Sequence, residues 1–247
     1  MTHTTDSHWR LPAPPLRASV VATQVTAFVA VVALAAIART ALSLGDAYPI
    51  KAAVLFAAIM LLALGHVDGH HPFPTFGAAN QITTIRLALT VLVAGLIGEP
   101  GAWAVAAAAA VASFVVTILD GVDGWLSRRA QAASAFGARF DMETDALLIQ
   151  VLAILAWQYG KAGPWVLASG LLRYVFVAAG WIWDWMRRPL FPSQRRKVVC
   201  VVQVVGLILT VVPFVPPPES AILAAVSLAI LCYSFLVDTV WLWRHAG

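Results

Sequence analysis

Long apolar runs, separated by short polar or Pro- and Gly-containing breaks, occupy most of the chain. A helix needs about 20 residues to cross the roughly 30 Å hydrocarbon core of a bilayer, and several runs approach that length. No alternation of apolar and polar positions indicates membrane-crossing strands. The pattern predicts eight helical spans, near Val20–Ala38, Ile50–Leu64, Ile82–Ile97, Ala102–Leu119, Ala146–Tyr159, Trp165–Trp185, Val198–Phe214 and Ile222–Trp243.

These runs predict an all-α polytopic membrane protein, because helices satisfy their own backbone hydrogen bonds in lipid. The second run is short, and Arg86 interrupts the third near its start. The polar segment before the first run is followed by no small-residue cleavage signature, so we expect that run to be a retained span.

Composition supports a membrane protein. The chain is 61% hydrophobic and 11% charged, whereas soluble domains are typically about a quarter charged. Its formal net charge is +4, but the basic residues lie at the ends of predicted spans and not on a solvated domain. We therefore predict the lipid bilayer, and no nucleic acid, as a partner of the chain.

The basic residues also predict the orientation of the chain. With both termini inside, eleven fall on the cytoplasmic side and three on the opposite side, and cytoplasmic segments normally carry the excess. The first group is Arg10, Arg17, Arg128, Arg129, Arg139, Arg187, Arg188, Arg195, Arg196, Lys197 and Arg244, and the second is Arg39, Lys51 and Lys161. We expect a protein integral to the cell (inner) membrane, with cytoplasmic termini.

The polar segment His66–Ala79 separates the first two spans from the rest. His66, Asp68, His70 and His71 could be metal ligands. The segment contains no Cys, however, and its prolines interrupt any helical register. We favour a solvated linker or an interfacial helix over a metal site.

Five of the twelve acidic residues lie between Asp120 and Asp145. Carboxylates at membrane depth are costly unless paired, hydrated or bound to a cation, so they indicate a functional site. Asp120 and Asp123 are three residues apart, and Asp141 and Asp145 are four apart, which places each pair on one helix face. Four carboxylates around one cavity would repel one another without a cation. Oxygen ligands alone favour one or two Mg²⁺ or Mn²⁺ ions, or Ca²⁺ as a substitute or inhibitor, over Zn²⁺.

Small residues and an arginine lie between the two pairs. Gly124 and Gly137 would allow a ligand to approach the helix backbone, and Arg128 offers a fork of donors for phosphate oxygens. Close packing of transmembrane helices is the alternative explanation of the glycines, and for Gly121 the two explanations stay open.

The segment from Asp120 to Asp145 resembles the signature D-x-x-D-G-x-x-A-R-x8-G-x3-D-x3-D of the CDP-alcohol phosphotransferase family. Seven of its eight fixed positions match, and Ser127 replaces the usual alanine. Asn80, Thr83 and Arg86 resemble the N-x-x-T-x-x-R element that often opens the family's first core helix. The resemblance extends from about Asn80 to the C-terminus. It implies a cytoplasmic tail, two additional transmembrane helices and an interfacial linker over residues 1–79, then a six-helix catalytic core over residues 80–247.

The resemblance implies transfer of the phosphatidyl group of CDP-diacylglycerol to an alcohol, with release of CMP. In that reading Asp120, Asp123, Asp141 and Asp145 hold the metal, and Asp145 is also the catalytic general base. The residues implied to bind the nucleotide part of the donor include Asp123 again, and they are Asp123, Gly124, Arg128, Gly137 and Thr83. Members of the family are often homodimers, which makes a homodimer our expectation here.

The acceptor alcohol is suggested by further basic residues. Arg173 lies within a predicted span, where a guanidinium is costly without a partner. It would pair with the acidic cluster or bind phosphate. Arg139, Arg195 and Arg196 are predicted on the same cytoplasmic surface, although the latter two also fit simple positive-inside anchoring. We favour an acceptor that already carries a phosphate, such as glycerol 3-phosphate or inositol phosphate.

Three other interpretations remain open. A soluble CDP-alcohol could donate its phospho-headgroup to diacylglycerol. A cation-coupled transporter would explain the aspartates, but its sites usually lie near the midplane and would not require the glycine and arginine spacing. A catalytically inactive scaffold of the same family is disfavoured by the intact Asp145.

Overall fold

A computed structural model describes residues 12–129, 134–191 and 193–245, without the side chains of Ser127 and Arg128. Arg10, predicted to be cytoplasmic, lies outside this part. The described residues form eight α-helices and no strand, which confirms the all-α prediction. The helices are α1 (Pro14–Ala41), α2 (Ala47–Val67), α3 (Ala78–Gly95), α4 (Trp103–Arg129), α5 (Ala135–Gln158), α6 (Ala168–Ile182), α7 (Gln194–Val211) and α8 (Glu219–Arg244).

Within the described ranges, six segments are long and apolar enough to cross a membrane, which indicates an integral membrane protein. They are Pro14–Ala41, Ala47–Val67, Ala78–Gly95, Trp103–Leu126, Pro164–Ile182 and Glu219–Arg244. Helix α5 contains Asp141, Glu143 and Asp145, and α7 begins with a basic run at residues 195–197. Those charges keep both helices out of this set, and their membrane crossing stays a prediction.

The helices α4 and α5 extend well beyond the apolar runs that predicted them. The run Ala102–Leu119 continues as helix to Arg129, and the helix containing Ala146–Tyr159 begins at Ala135. Apolar length defines only the part of a helix that lies in hydrocarbon, so polar turns at its ends escape detection. As a result, all four predicted aspartate ligands lie within helices.

Contacts within the chain define two compact units, and α4 and α5 each pass from one to the other. The first unit comprises Met1–Gly95 and Ile118–Thr144, and the second comprises Leu96–Thr117 and Asp145–Gly247. In the first unit, α1 and α2 pack against each other and against α3. Gln24 Nε2 donates to the Met60 carbonyl at 3.1 Å, and the Tyr48 hydroxyl donates to the Leu92 carbonyl at 3.0 Å. The two N-terminal helices therefore support the helix that carries Arg86.

Most of the linker that follows α2 is exposed, as expected of a solvated segment, but two of its residues are buried. His71 and Phe76 are 8% and 1% exposed. His71 Nε2 donates to the Thr75 carbonyl at 2.8 Å, which leaves Nδ1 to accept from the Ser134 hydroxyl at 3.1 Å. His66 and His70 bond to carbonyls of Leu62 and Asp68. The contacts of His71 dock the linker onto the start of α5.

In the second unit, α7 and α8 pack extensively against each other. A Cβ at Gly206 would lie 2.7 Å from Ser227 Cβ, so glycine permits the close approach. At the far end of α7, the Lys161 ammonium donates to the carbonyls of Val212, Pro213 and Val215 at 3.2, 3.3 and 2.7 Å. Lys161 thus satisfies carbonyls at a helix C-terminus, where a positive charge is favourable.

Gly170 provides a direct test of helix packing in the second unit. A Cβ there would lie 2.9 Å from the Gln150 Cα, a backbone atom that cannot move aside. We expect Gly170→Ala to lower the free energy of unfolding in mixed micelles by about 1–3 kcal/mol, as overpacked cores do. Gly180→Ala on the same helix is the control, because its nearest neighbour would be an ordinary 3.7 Å away. Equal stabilities for the two variants would contradict this account.

Candidate active site

A buried guanidinium joins three of the predicted aspartates in the first unit. Arg86 is 0% exposed and lies on α3. Its Nη2 is 2.8 Å from Asp120 Oδ1, its Nη1 is 2.6 Å from Asp123 Oδ2, and Nη1 also contacts Asp141 Oδ1. Residues from α3, α4 and α5 therefore meet around one side chain.

The three carboxylates that contact Arg86 differ in exposure. The side chains of Asp120 and Asp141 are 37% and 40% exposed, whereas that of Asp123 is 6% exposed. Asp123 Oδ2 also lies 3.2 Å from the Thr83 hydroxyl, one turn before Arg86 on α3. Charged groups at this depth are stable only when paired and hydrogen-bonded. Thr83 and Arg86 thus supply buried Asp123 with the donors that its carboxylate requires.

Asp145 extends the acidic cluster by one helical turn. It is the first residue of the second unit, but α5 is continuous there, so the helix itself places it beside Asp141. One carboxylate oxygen each from Asp120, Asp141 and Asp145 lie within 4.8 Å of one another. Asp123 lies outside that group of three. The described residues therefore bring together three of the four predicted metal ligands directly, and the fourth through Arg86.

The donor set fits a hard divalent cation. Three carboxylates face one guanidinium, so the Arg86 charge does not neutralise them. The potential ligand atoms are all carboxylate oxygens, which Mg²⁺ and Mn²⁺ prefer. Their half-buried position leaves an open side from which a charged substrate could approach.

The start of α5 is fixed by a side-chain cap. Ser134 precedes the helix, and its hydroxyl oxygen accepts from the Gly137 N–H at 3.0 Å. The adjacent Phe136 N–H donates to the His70 carbonyl at 3.1 Å. These bonds satisfy donors that a helix N-terminus would otherwise leave unpaired. The helix that carries Asp141 is therefore anchored at its first turn by the linker.

Gly137 is required by close packing in this unit. A Cβ there would lie 2.8 Å from Asn80 Oδ1 and 3.1 Å from Ser134 Oγ. Asn80 is itself held by donating to the Phe76 carbonyl at 2.7 Å. The alternative explanation of small residues as packing sites thus applies at Gly137. A Cβ on Gly121, by contrast, would meet nothing within 4 Å.

A cavity of about 190 Å³ lies beside this packed region in the first unit. His71, residues 73–80 and Leu126 line it. Asn80 is one turn before Thr83 on α3, and Leu126 closely follows Gly124 on α4. Gly124 is half-buried, and the side chain of Arg128, predicted to bind phosphate, lies outside the described part.

The arginines predicted to bind the acceptor have protein partners. Arg139 is 82% exposed and lies 3.7 Å from Glu143, and the Arg173 guanidinium stacks over the Tyr174 ring. Arg195 and Arg196 lie 2.5 and 3.3 Å from buried Asp238, and Arg195 also donates to the Ser234 carbonyl at 2.6 Å. Arg195 and Arg196 therefore help to join α7 to α8.

Sequence reasoning missed two of these arrangements. Arg86 was identified as an interruption of an apolar run and as part of a short motif, but its three carboxylate partners were not. A charged residue deep in a span was the available signal, because it demands partners inside the bundle. Asp238, near the end of the last span, carries the same signal and was not assigned a role.

An all-helical membrane protein with clustered carboxylates at one end of two helices belongs to a class that handles ions or phosphorylated substrates. The model of the CDP-alcohol phosphatidyltransferase family matches residues 76–238, well over half of the chain. The chain therefore belongs to that family, as the signature indicated. No solved structure matches the chain significantly. Members are membrane enzymes of phospholipid biosynthesis that use CDP-alcohols and lipid substrates, generally with divalent metals.

Removal of the Ser134 cap should destabilise the start of α5. We expect Ser134→Ala to lower the free energy of unfolding by about 1 kcal/mol, because the Gly137 N–H and His71 both lose a partner. Ser193→Ala is a matched control, since Ser193 precedes α7 without making a side-chain cap. Denaturant titration in micelles would measure both, and an equal loss at the two sites would refute the capping role.

Proposed function

We propose that this enzyme transfers the phosphatidyl group of CDP-diacylglycerol to an alcohol acceptor and releases CMP. The family membership supports transfer from a CDP-alcohol in general. The observation that carries the proposal is the approach of Asp120, Asp141 and Asp145 to within 4.8 Å, on the segment that bears the family signature. A divalent cation held by these carboxylates would neutralise the charge of a pyrophosphate, which is the reacting part of CDP-diacylglycerol.

In the proposed reaction, the acceptor hydroxyl oxygen attacks the phosphorus atom next to diacylglycerol. A new P–O bond forms, and the bond from that phosphorus to the CMP oxygen breaks. CMP leaves with the bonding electrons, and the hydroxyl proton passes to a base. Asp145 is our candidate for that base, because it is half-buried at the edge of the acidic group and its carboxylate can accept a proton.

The other residues of the site would bind and orient the donor. Asp120, Asp123, Asp141 and Asp145 would hold one or two Mg²⁺ or Mn²⁺ ions. Such an ion would neutralise charge on the pyrophosphate and on the departing CMP. We assign the nucleotide part to Asp123, Gly124, Arg128, Gly137 and Thr83. The cavity lined by Asn80 and Leu126 supports this assignment, because it lies next to that set in sequence and offers room for part of a nucleotide.

We favour a phosphorylated polyol as the acceptor. Arg139 is exposed and Arg173 is half-buried, and both would attract a phosphate group. Arg195 and Arg196 are weaker candidates, because Asp238 already contacts both guanidinium groups. We also propose that the termini and the site face the cytoplasm, that the membrane is the cell (inner) membrane, and that the unit is a homodimer.

The alternative within the same chemistry is donation of a phospho-headgroup from a soluble CDP-alcohol to diacylglycerol. Purified protein in micelles with Mg²⁺ or Mn²⁺ would be tested in two arms that distinguish the directions. One arm contains CDP-diacylglycerol and a panel of alcohols with and without a phosphate, and the other contains diacylglycerol and soluble CDP-alcohols. We expect CMP release in the first arm, fastest with phosphorylated acceptors. Turnover in neither arm would favour the cation-coupled transporter.

Replacement of Asp145, the proposed base, should slow transfer strongly and affect donor binding much less. We expect Asp145→Asn to lower kcat by about 100-fold or more, because the amide cannot accept the hydroxyl proton. Donor binding, measured by tritiated CDP-diacylglycerol retention, should change much less, because the amide oxygen of asparagine can still coordinate the cation. Asp184→Asn is the control, since Asp184 is 91% exposed and pairs with Arg187. Transfer at the wild-type rate in Asp145→Asn would rule out the base.

A further inference from the structure

Three of the carboxylates assigned to the metal site also contact Arg86. Arg86 contacts Oδ1 of Asp120, Oδ2 of Asp123 and Oδ1 of Asp141. Asp120 and Asp141 also belong to the group of three whose ligand atoms lie within 4.8 Å of one another, and every carboxylate has two oxygens that can accept contacts. A carboxylate can therefore bridge Arg86 and a cation at the same time.

We propose that Arg86 is a positioning residue that holds the metal-binding carboxylates in their binding orientation. It contacts carboxylate oxygens of Asp120, Asp123 and Asp141 and orients these groups so that they can also bind a divalent cation. This inference rests on the metal-dependent function proposed above. Arg86 itself touches neither substrate nor cation.

Burial makes Arg86 suited to this role. The side chain is 0% exposed, so protein atoms enclose it. Its planar fork reaches partners on α4 and α5 in fixed directions, which a flexible ammonium cannot reproduce. Thr83 braces the same arrangement through Asp123 Oδ2. Partners behind metal ligands commonly set ligand orientation, and their loss weakens metal affinity by about 10–100-fold.

A rival role would make Arg86 a placeholder that a cation displaces. The two roles predict opposite results for a variant that keeps the charge but loses the fork. Under the positioning role, Arg86→Lys weakens cation binding, because the carboxylates lose their orientation and the positive charge remains. Under the placeholder role, the more weakly held ammonium yields more easily, and cation affinity is unchanged or higher.

The test measures Mn²⁺ affinity directly, by electron paramagnetic resonance of purified protein in micelles without substrate. We expect Arg86→Lys to raise the Mn²⁺ Kd about tenfold or more. Arg39→Lys is the matched control, because Arg39 pairs with exposed Asp46 away from the cluster and should keep the wild-type Kd. A Kd for Arg86→Lys within twofold of wild type would overturn the inference. Failure of the wild-type protein to bind Mn²⁺ would overturn the metal assignment and, with it, this role.

A measurement on the wild-type protein covers the case in which Arg86→Lys does not fold. Nitrogen NMR of arginine-labelled protein reports rotation of the guanidinium about its Cζ–Nε bond. We expect Arg86 to remain rotationally restrained when Mg²⁺ is added, since its three carboxylate contacts persist. Release of that restraint by Mg²⁺ would show displacement and would contradict the positioning role.

Discussion

The arrangement of this enzyme depends on how one buried positive charge is compensated. Arg86 lies on an apolar helix, where an unpaired guanidinium would be strongly unfavourable. Its partners come from two other helices, Asp120 and Asp123 from α4 and Asp141 from α5. The same contacts that remove this penalty bring the carboxylates together, so stability and the acidic site arise from one set of interactions. The helices α1 and α2 contribute indirectly, because they pack against α3.

A second layer of contacts supports this centre at the start of α5. The linker residue His71 bonds to Ser134, whose side chain caps α5. Gly137, one turn before Asp141, has no side chain and therefore lets Asn80 of α3 approach α5 closely. These contacts act by positioning the start of the helix. They determine where α5 begins and therefore the height at which its aspartates lie. The family match begins at residue 76, so His71 acts on this region from outside it.

Much of this could be predicted from local patterns. The apolar runs predicted all eight helices, and the spacing of Asp141 and Asp145 predicted a shared face, because helical periodicity is a property of neighbouring residues. Contacts between residues that lie far apart in the sequence could not be predicted from local patterns. Arg86 and Asp141 are 55 residues apart, and nothing in that separation specifies contact. The burial of His71 was missed for the same reason, since its partner Ser134 is 63 residues away. The apolar runs stopped short of Asp123 and Asp141 because the turns that carry them are polar, and only the spacing of the aspartates predicted that these turns are helical.

The order of residues along the chain has a consequence for synthesis in the membrane. Arg86 leaves the ribosome 37 residues before Asp123 and 55 before Asp141. If α3 entered the bilayer before those residues were made, it would carry an uncompensated cation, which costs about 2.5–3.5 kcal/mol at the centre of a lone helix. Stable insertion of α3 therefore depends on neighbours not yet translated. The third helix should remain loosely held at the insertion machinery until α4 and α5 arrive, so that these three segments enter lipid as a group.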